Sequence, residues 1–357
     1  MSNIRNLCSE GFAIPDINAD FESIALISLK QALKSYFSTY KYMANIGRSL
    51  FEDELDARSH SPGYIEHYSE TIIHFQHFFE LICKDILRKE NELLVLNIDN
   101  KHEILYNLIK GEEVPNDELE KINTIEFNRT FERLCNLITN DKLDPKYSFF
   151  KDSNKKIALE QLNIMRNRIW HRGSFVMKYK SLDLFVGKYI LPIVKEIIKL
   201  PEYSSISRLW EYRGLDSKIN PLDEIISVCN EDTPALDHIA FLKELGRAAY
   251  NNPYNHDFAF YKKEIADRAI RIARAEIPNQ IYGDDYVISC PVCGTKSLVK
   301  YEESDGDRDK HGQYTSYWTW IDNIKCYCCS FELQSSGMRN PSEYGYSLPD
   351  FWYEYEH

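Results

Sequence analysis

Nothing in this chain reads as built to cross a membrane. Its longest apolar-looking stretch, residues 184–200, carries Lys188, Lys195, Glu196 and Lys199 and is interrupted by Pro192. That pattern predicts a kinked amphipathic helix, not a span, and no membrane partner is expected. Residues 1–18 lack the basic-then-apolar plan of a signal peptide, so the expected location is cytoplasmic. There is no long low-complexity tract, which excludes a mainly disordered chain. Positive charge is in deficit: 43 Lys and Arg face 55 Asp and Glu, a formal net charge of −12. A general nucleic-acid coat is thereby excluded, because non-specific binding rests on many cations neutralising phosphates. A local basic site is not excluded, and Arg166, Arg168 and Arg172, with Lys178 and Lys180, could form one. There is also no glycine-rich loop to cradle a nucleotide phosphate and no sensor motif.

What is present suits a folded protein of several parts. A hydrophobic content of 43% over 357 residues is ample for burial, and the length points to two or three units. The expected class is mainly α, with a small β zinc ribbon at the C-terminus. The expected division is a helical domain over 1–200, a helical bridging segment over 201–279, and a zinc-ribbon domain with an aromatic, acidic tail over 280–357.

Helical periodicity runs through the first part. It predicts a helix from Phe21 to Leu50, with Leu29, Leu33, Tyr36, Tyr40 and Met43 on its apolar stripe and Gly47 as the only breaker. Ser61-Pro62-Gly63 punctuates the chain before a helix from Glu66 to Lys89, and a shorter helix follows from Thr124 to Thr139. Residues 148–154 read as a loop, with Asp152 or Ser153 as the cap of the next helix and Gly173 as its stop. In the bridge, Leu236–Ala249 and Tyr261–Glu276 repeat the helical pattern, and Arg268, Arg271 and Arg274 read as a solvated basic face.

The tail is of another kind. Cys290-Pro291-Val292-Cys293-Gly294 and Cys326-Tyr327-Cys328-Cys329 supply two C-x-x-C pairs. Cys290, Cys293, Cys326 and Cys329 could close a tetrahedron of thiolates on a structural zinc, worth on the order of 10 kcal/mol to the folding of so small a unit. Pairing Cys326 with Cys328 is a poorer alternative. Residues 286–289 and 297–301 read as the ribbon strands, and Glu302–Gln313 as a charged hairpin tip. From residue 280 onward, 6 Lys and Arg meet 13 Asp and Glu, a net of −7 that repels a phosphate backbone. A protein partner therefore suits the ribbon better than nucleic acid. The aromatics of residues 348–355 are expected to dock on their own domain. Cys8, Cys83, Cys135 and Cys229 are scattered and read as reduced thiols.

One run carries chemistry. Arg166, Asn167 and His171 stand in Arg166-Asn167-Arg168-Ile169-Trp170-His171. The arginine is a permanent charge with a planar fork for phosphate, and the histidine moves a proton near neutral pH. Asn167 and His171 are four apart and share a helix face. Arg166 lies about 140° round an ideal helix from His171, so one helix presents the pair poorly and a second copy would be needed to make them converge. A favourable charge at the negative end of a helix is the simpler reading of His171. On the neighbouring helix, His74 and His77 have H-x-x-H spacing but no third ligand, and Glu80 with Lys84 makes an i, i+4 ion pair.

The run Arg166-Asn167-x-x-x-His171 resembles the signature of the HEPN superfamily (higher eukaryote and prokaryote nucleotide-binding domains). Residues 69–91, with Glu80 and Lys84, resemble an earlier helix of that family, and residues 173–200, where Leu182-Asp183 opens a long helix, are also similar. The likeness covers roughly residues 15–200. It implies an all-helical, HEPN-like bundle, a homodimer, and an endoribonuclease that needs no metal for catalysis. RNA would be cut by attack of the ribose 2′-hydroxyl, leaving a 2′,3′-cyclic phosphate and a 5′-hydroxyl. His171 would move the proton, Arg166 would stabilise the five-coordinate phosphate, and Asn167 would hold one or the other. Glu80 would orient Arg166, with Arg168 and Arg172 on the substrate. A toxin or an effector of defence against phage fits such a family. The alternative is a non-catalytic dimerisation or ligand-binding module with a protein-binding ribbon.

Overall fold

The computed structural model describes residues 21–44, 61–98, 101–115, 122–173, 175–255, 261–277, 286–308, 311 and 314–356. Cys8, the segment 1–18 and the Gly47 breaker lie outside the described residues. The helices are α1 Phe21–Ala44, α2 Pro62–Glu90, α3 His102–Lys110, α4 Phe127–Thr139, α5 Ser153–Arg172, α6 Tyr179–Phe185, α7 Leu191–Ile198, α8 Pro201–Ser204, α9 Pro221–Cys229, α10 Leu236–Tyr250 and α11 Lys262–Glu276. The strands are β1 Val287–Ser289, β2 Lys296–Arg308, β3 Tyr314–Cys326, β4 Glu332–Gln334 and β5 Glu354–Glu356. The fold is thus mainly helical, with a small antiparallel sheet at its C-terminal end.

The chain forms two compact units that interleave along the sequence. One takes Met1–Lys30, His74–Ile164 and Ile198–Trp210; the other takes Gln31–Ile73, Met165–Ile197 and Glu211–His357. In the first, α4 turns Phe127, Thr130, Phe131, Leu134 and Ile138 inward, the 3.6-residue stripe that buries one side of a helix. Phe131 meets Phe127 and Phe150 at ring distances of 5.8 and 6.1 Å. Asn163 donates to Asn128 at 2.7 Å, and Tyr203 donates to the buried Asp85 carboxylate at 2.7 Å.

The second unit is built round α10, whose residues from Ile239 to Ala249 are all buried. Lys243 on that helix donates to Asp183 of α6 at 2.8 Å, and neither side chain reaches water. The Lys243 ammonium also sits over the rings of Tyr179 and Tyr36, at 4.1 and 4.9 Å. Burial pushes the Asp183 carboxyl up and the Lys243 ammonium down, each opposed by the other's charge. Between α6 and α7 the backbone widens into a π turn, Val186–Ile190, where the N–H of Leu191 reaches the carbonyl of Val186. Pro192 follows at once and has no N–H to continue an α-helical ladder. The kink expected in this stretch is therefore a π turn ahead of a proline. Gly187 lies in it, and a Cβ there would come within 2.3 Å of the Cys229 sulfur on α9.

The sheet runs β1-β2-β3-β4, with β5 on β3 at Trp318–Trp320. The stretch read as a hairpin tip is mostly strand: β2 continues to Arg308 and pairs with β3 through Arg308↔Tyr314. Gly306 allows this close pairing, since a Cβ there would fall 2.3 Å from the Ser316 carbonyl. The aromatic tail docks on its own unit. Phe351 is buried beside Phe331 and Phe241, at 6.3 and 6.5 Å. The N–H groups of Phe351 and Trp352 both donate to the Asn340 side chain at 2.8 Å.

Candidate functional site

Helix α5 places the Arg166–His171 run. Asp152 caps its start, accepting from the N–H groups of Asn154 and Lys155 at 2.8 and 3.1 Å. The expected loop before it is partly a 3₁₀ turn, Pro145–Lys151. Ala158, Leu159, Leu162 and Met165 are buried and fix the helix's rotation. Gly173 ends it with φ +58°, a left-handed stop, its N–H reaching the Ile169 carbonyl at 3.1 Å. The chain beyond is pinned by the Tyr64 hydroxyl, which donates to the Met177 carbonyl at 2.7 Å.

At that helix end Arg166 and Asn167 are half-buried, while Arg168, Trp170, His171 and Arg172 are exposed. The Arg166 guanidinium donates to the Asn167 side-chain oxygen at 2.9 Å and lies 5.6 Å from the centre of the Trp170 ring. Arg168 sits likewise over Phe175, at 5.2 Å. Among the described residues, no carboxylate pairs with Arg166, Arg168, His171 or Arg172. The sequence around them offers none: from Gln161 to Leu182 there is no Asp or Glu, while Arg166, Arg168, Arg172, Lys178 and Lys180 fall in that span. On a chain of net charge −12 this is a basic island.

Arg166 and Asn167 are thus brought together, but His171 hydrogen-bonds to neither. Glu80 accepts from Lys84 at 2.7 Å and from Gln76 at 2.9 Å. Burial pushes its carboxyl up, but Lys84 and Gln76 outweigh this and hold it below the usual carboxylate range. Lys84 in turn donates to Thr124 at 2.9 Å. The His77 ring bonds Ser28 at 2.8 Å, and no metal cluster among the described residues includes His74 or His77. Sequence reasoning passed over Trp170. Its signal was the four-residue spacing from Arg166, which stacks the two on one helix side.

The second constellation is the thiol cluster. The sulfur atoms of Cys290, Cys293, Cys326 and Cys329 all lie within 4.8 Å of one another. Cys290 to Cys329 is 3.5 Å and Cys293 to Cys326 is 3.7 Å. Zinc–thiolate bonds of about 2.3 Å in a tetrahedron require sulfurs about 3.8 Å apart, so the set is compatible with zinc. Cys328 stands outside the set and meets the Thr295 hydroxyl at 3.7 Å. Both knuckles fold alike. The N–H of Gly294 reaches the Cys290 carbonyl at 2.9 Å, and that of Ser330 reaches the Cys326 carbonyl at 3.1 Å. Each of those residues has positive φ, +74° for Gly294 and +62° for Ser330.

Residues of the helical region hold both knuckles, the first from a turn ahead of α9 and the second from α10. The N–H groups of Asp216 and Ser217 donate to the carbonyls of Val292 and Pro291 at 3.1 and 2.9 Å. Arg247 of α10 donates to the Ser330 carbonyl. The buried Glu244 accepts a two-pronged contact from Arg247, at 2.6 and 2.7 Å, and the Glu332 N–H at 2.7 Å. Desolvation raises the Glu244 carboxyl, opposed by Arg247. The chain matches no family model, no curated protein and no solved structure.

Proposed function

We propose that this protein is an endoribonuclease that works without a catalytic metal, its site the exposed end of α5. The observation that carries the reading is the basic island. Among the described residues, Arg166, Arg168 and Arg172 stand at that helix end with no carboxylate paired to them, beside the proton-transfer group His171. Arg166 holds the phosphate and offsets its growing charge, with Asn167 fixing the guanidinium through the 2.9 Å hydrogen bond. His171 takes the 2′-proton or returns one to the leaving oxygen, and the product end is a 2′,3′-cyclic phosphate.

Arg166 and His171 lie about 140° apart round one helix, so a homodimer supplies the missing convergence. Along α5, Ile157 and Ile164 are 55% and 41% exposed and stand seven and fourteen residues before His171. A second copy would cover such a ridge. The four thiolates hold a structural zinc, which supplies fold and no step of the cleavage. The decisive experiment incubates purified protein, its zinc content first measured, with total RNA in EDTA, beside the His171→Ala variant. Cleavage by the wild type alone, with cyclic-phosphate ends, is expected. Equal cutting by both proteins would end the assignment. A wild type that binds RNA and leaves it whole would make the helical region a binding module.

A further inference from the structure

Trp170 is 65% exposed, an unusual state for the largest apolar side chain. It is not adrift, because the Arg166 guanidinium lies 5.6 Å from its ring centre. Nor is it one scattered apolar residue in a neutral setting. It sits inside the acid-free span, adjacent in sequence to His171 and followed by Arg172. Arg168 repeats the arrangement over Phe175, so two guanidinium–aromatic pairs occupy one helix end. Aromatic rings interleaved with unneutralised cations are what single-stranded nucleic acid requires, since bases stack on the rings while cations follow the phosphates. A duplex keeps its bases inside and gives such a ring nothing to stack on.

We propose that Trp170 is a base-stacking subsite, which takes the unpaired nucleobase beside the phosphate that Arg166 and His171 act on. The inference rests on the ribonuclease reading and narrows its substrate to RNA that is single-stranded at the cut. The stack also orders events. A base held on Trp170 brings its own phosphate to the guanidinium already leaning on that ring. Trp170 is thus a specificity residue, and the proton transfer stays with His171.

The test compares wild type, Trp170→Ala and Trp170→Phe. Affinity is read with a fluorescently labelled short single strand of 2′-O-methyl RNA, which lacks the attacking hydroxyl and cannot be cut, and with its duplex. Kinetics are read on the unmodified single strand. Trp170→Ala should weaken single-strand binding roughly ten- to a hundredfold, the loss of one stacked base. It should raise KM with kcat nearly unchanged, and Trp170→Phe should restore most of both. An abasic nucleotide at the stacked position should weaken wild type by a similar factor and cost the alanine variant little more. The duplex should bind all three proteins poorly. Equal single-strand binding by wild type and the alanine variant overturns the proposal. So does a fall in kcat alone, which would make Trp170 a support for Arg166, or a switch from dimer to monomer, which would make it an interface residue. The two readings fail separately. Trp170-dependent binding without any cleavage removes the ribonuclease and keeps the subsite, while wild-type cleavage that ignores Trp170 does the reverse.

Discussion

Lys243 places a charge where no water reaches, and its partner Asp183 is equally closed off. Such a pair is held together by its own attraction, and removing one member strands the other. Lys243→Met should therefore lower the unfolding free energy by about 3–5 kcal/mol in urea titration, and adding Asp183→Leu should recover part of that loss. Full additivity of the two single losses would show that the residues do not act as a pair. The pairing was not legible in the sequence, where Asp183 stood out only as the start of a helix and Lys243 not at all. They lie sixty positions apart, and Tyr36, which shares the site, comes from a third stretch. The thiol cluster was legible for the opposite reason, because each C-x-x-C pair is local and needs only one long-range match. Arg166 and Asn167 stood out in the sequence as a motif, but their mutual hydrogen bond was visible only in three dimensions, and the four-residue spacing from Arg166 to Trp170 was there to be read.

Helix α10 and the tail show what a contact between elements can do with pH. His238 stacks on Tyr344 at 4.4 Å, and its ring nitrogen bonds the Tyr346 hydroxyl at 2.9 Å. Burial lowers it to about 4; Asp237 pulls the other way and Arg339 adds to the lowering. Glu224 also enters this group, accepting from Tyr346 at 3.1 Å, and Asp237 takes both Arg339 and Tyr344. With the unfolded value near 6.5, the unfolded chain binds the extra proton between those limits. The neutral ring therefore stabilises the fold above about pH 6.5, and that contribution is lost as pH falls toward 4. Unfolding free energy measured across that window should drop by up to about 1.4 kcal/mol per pH unit, and His238→Gln should flatten the slope. A variant with the wild-type slope would place the effect elsewhere. At Gly187, any side chain must displace Cys229, and Gly187→Ala should cost about 1–3 kcal/mol in the same assay. Helices with a plain apolar stripe were readable along the chain, α4 among them. The π turn was legible only as a kink, since Pro192 marks where the α-helical ladder fails but not how the backbone widens ahead of it. The upper half of β2 was hidden because Glu302, Glu303, Asp305 and Asp307 look like a loop until β3 is paired beside them.

At the level of the whole molecule, the metal is the clearest prediction. One zinc per chain is expected by elemental analysis, lost in Cys326→Ser and kept in Cys328→Ser. Retention of metal in Cys329→Ser and its loss in Cys328→Ser would move the fourth ligand to Cys328. Chelation should also lower the midpoint of thermal unfolding, because both knuckles are bonded to residues of the same unit, one to the Asp216–Ser217 turn and one to Arg247 of α10. Ser330 is the feature to follow here. A left-handed backbone usually falls to glycine, and serine adopts it at a cost of about 1 kcal/mol or more. Arg247, reaching across from α10, holds that carbonyl in place. The ribbon is therefore not a portable cassette. Cut from its helices and grafted onto another scaffold, it would carry its four sulfurs and leave behind the hand that shapes half of them.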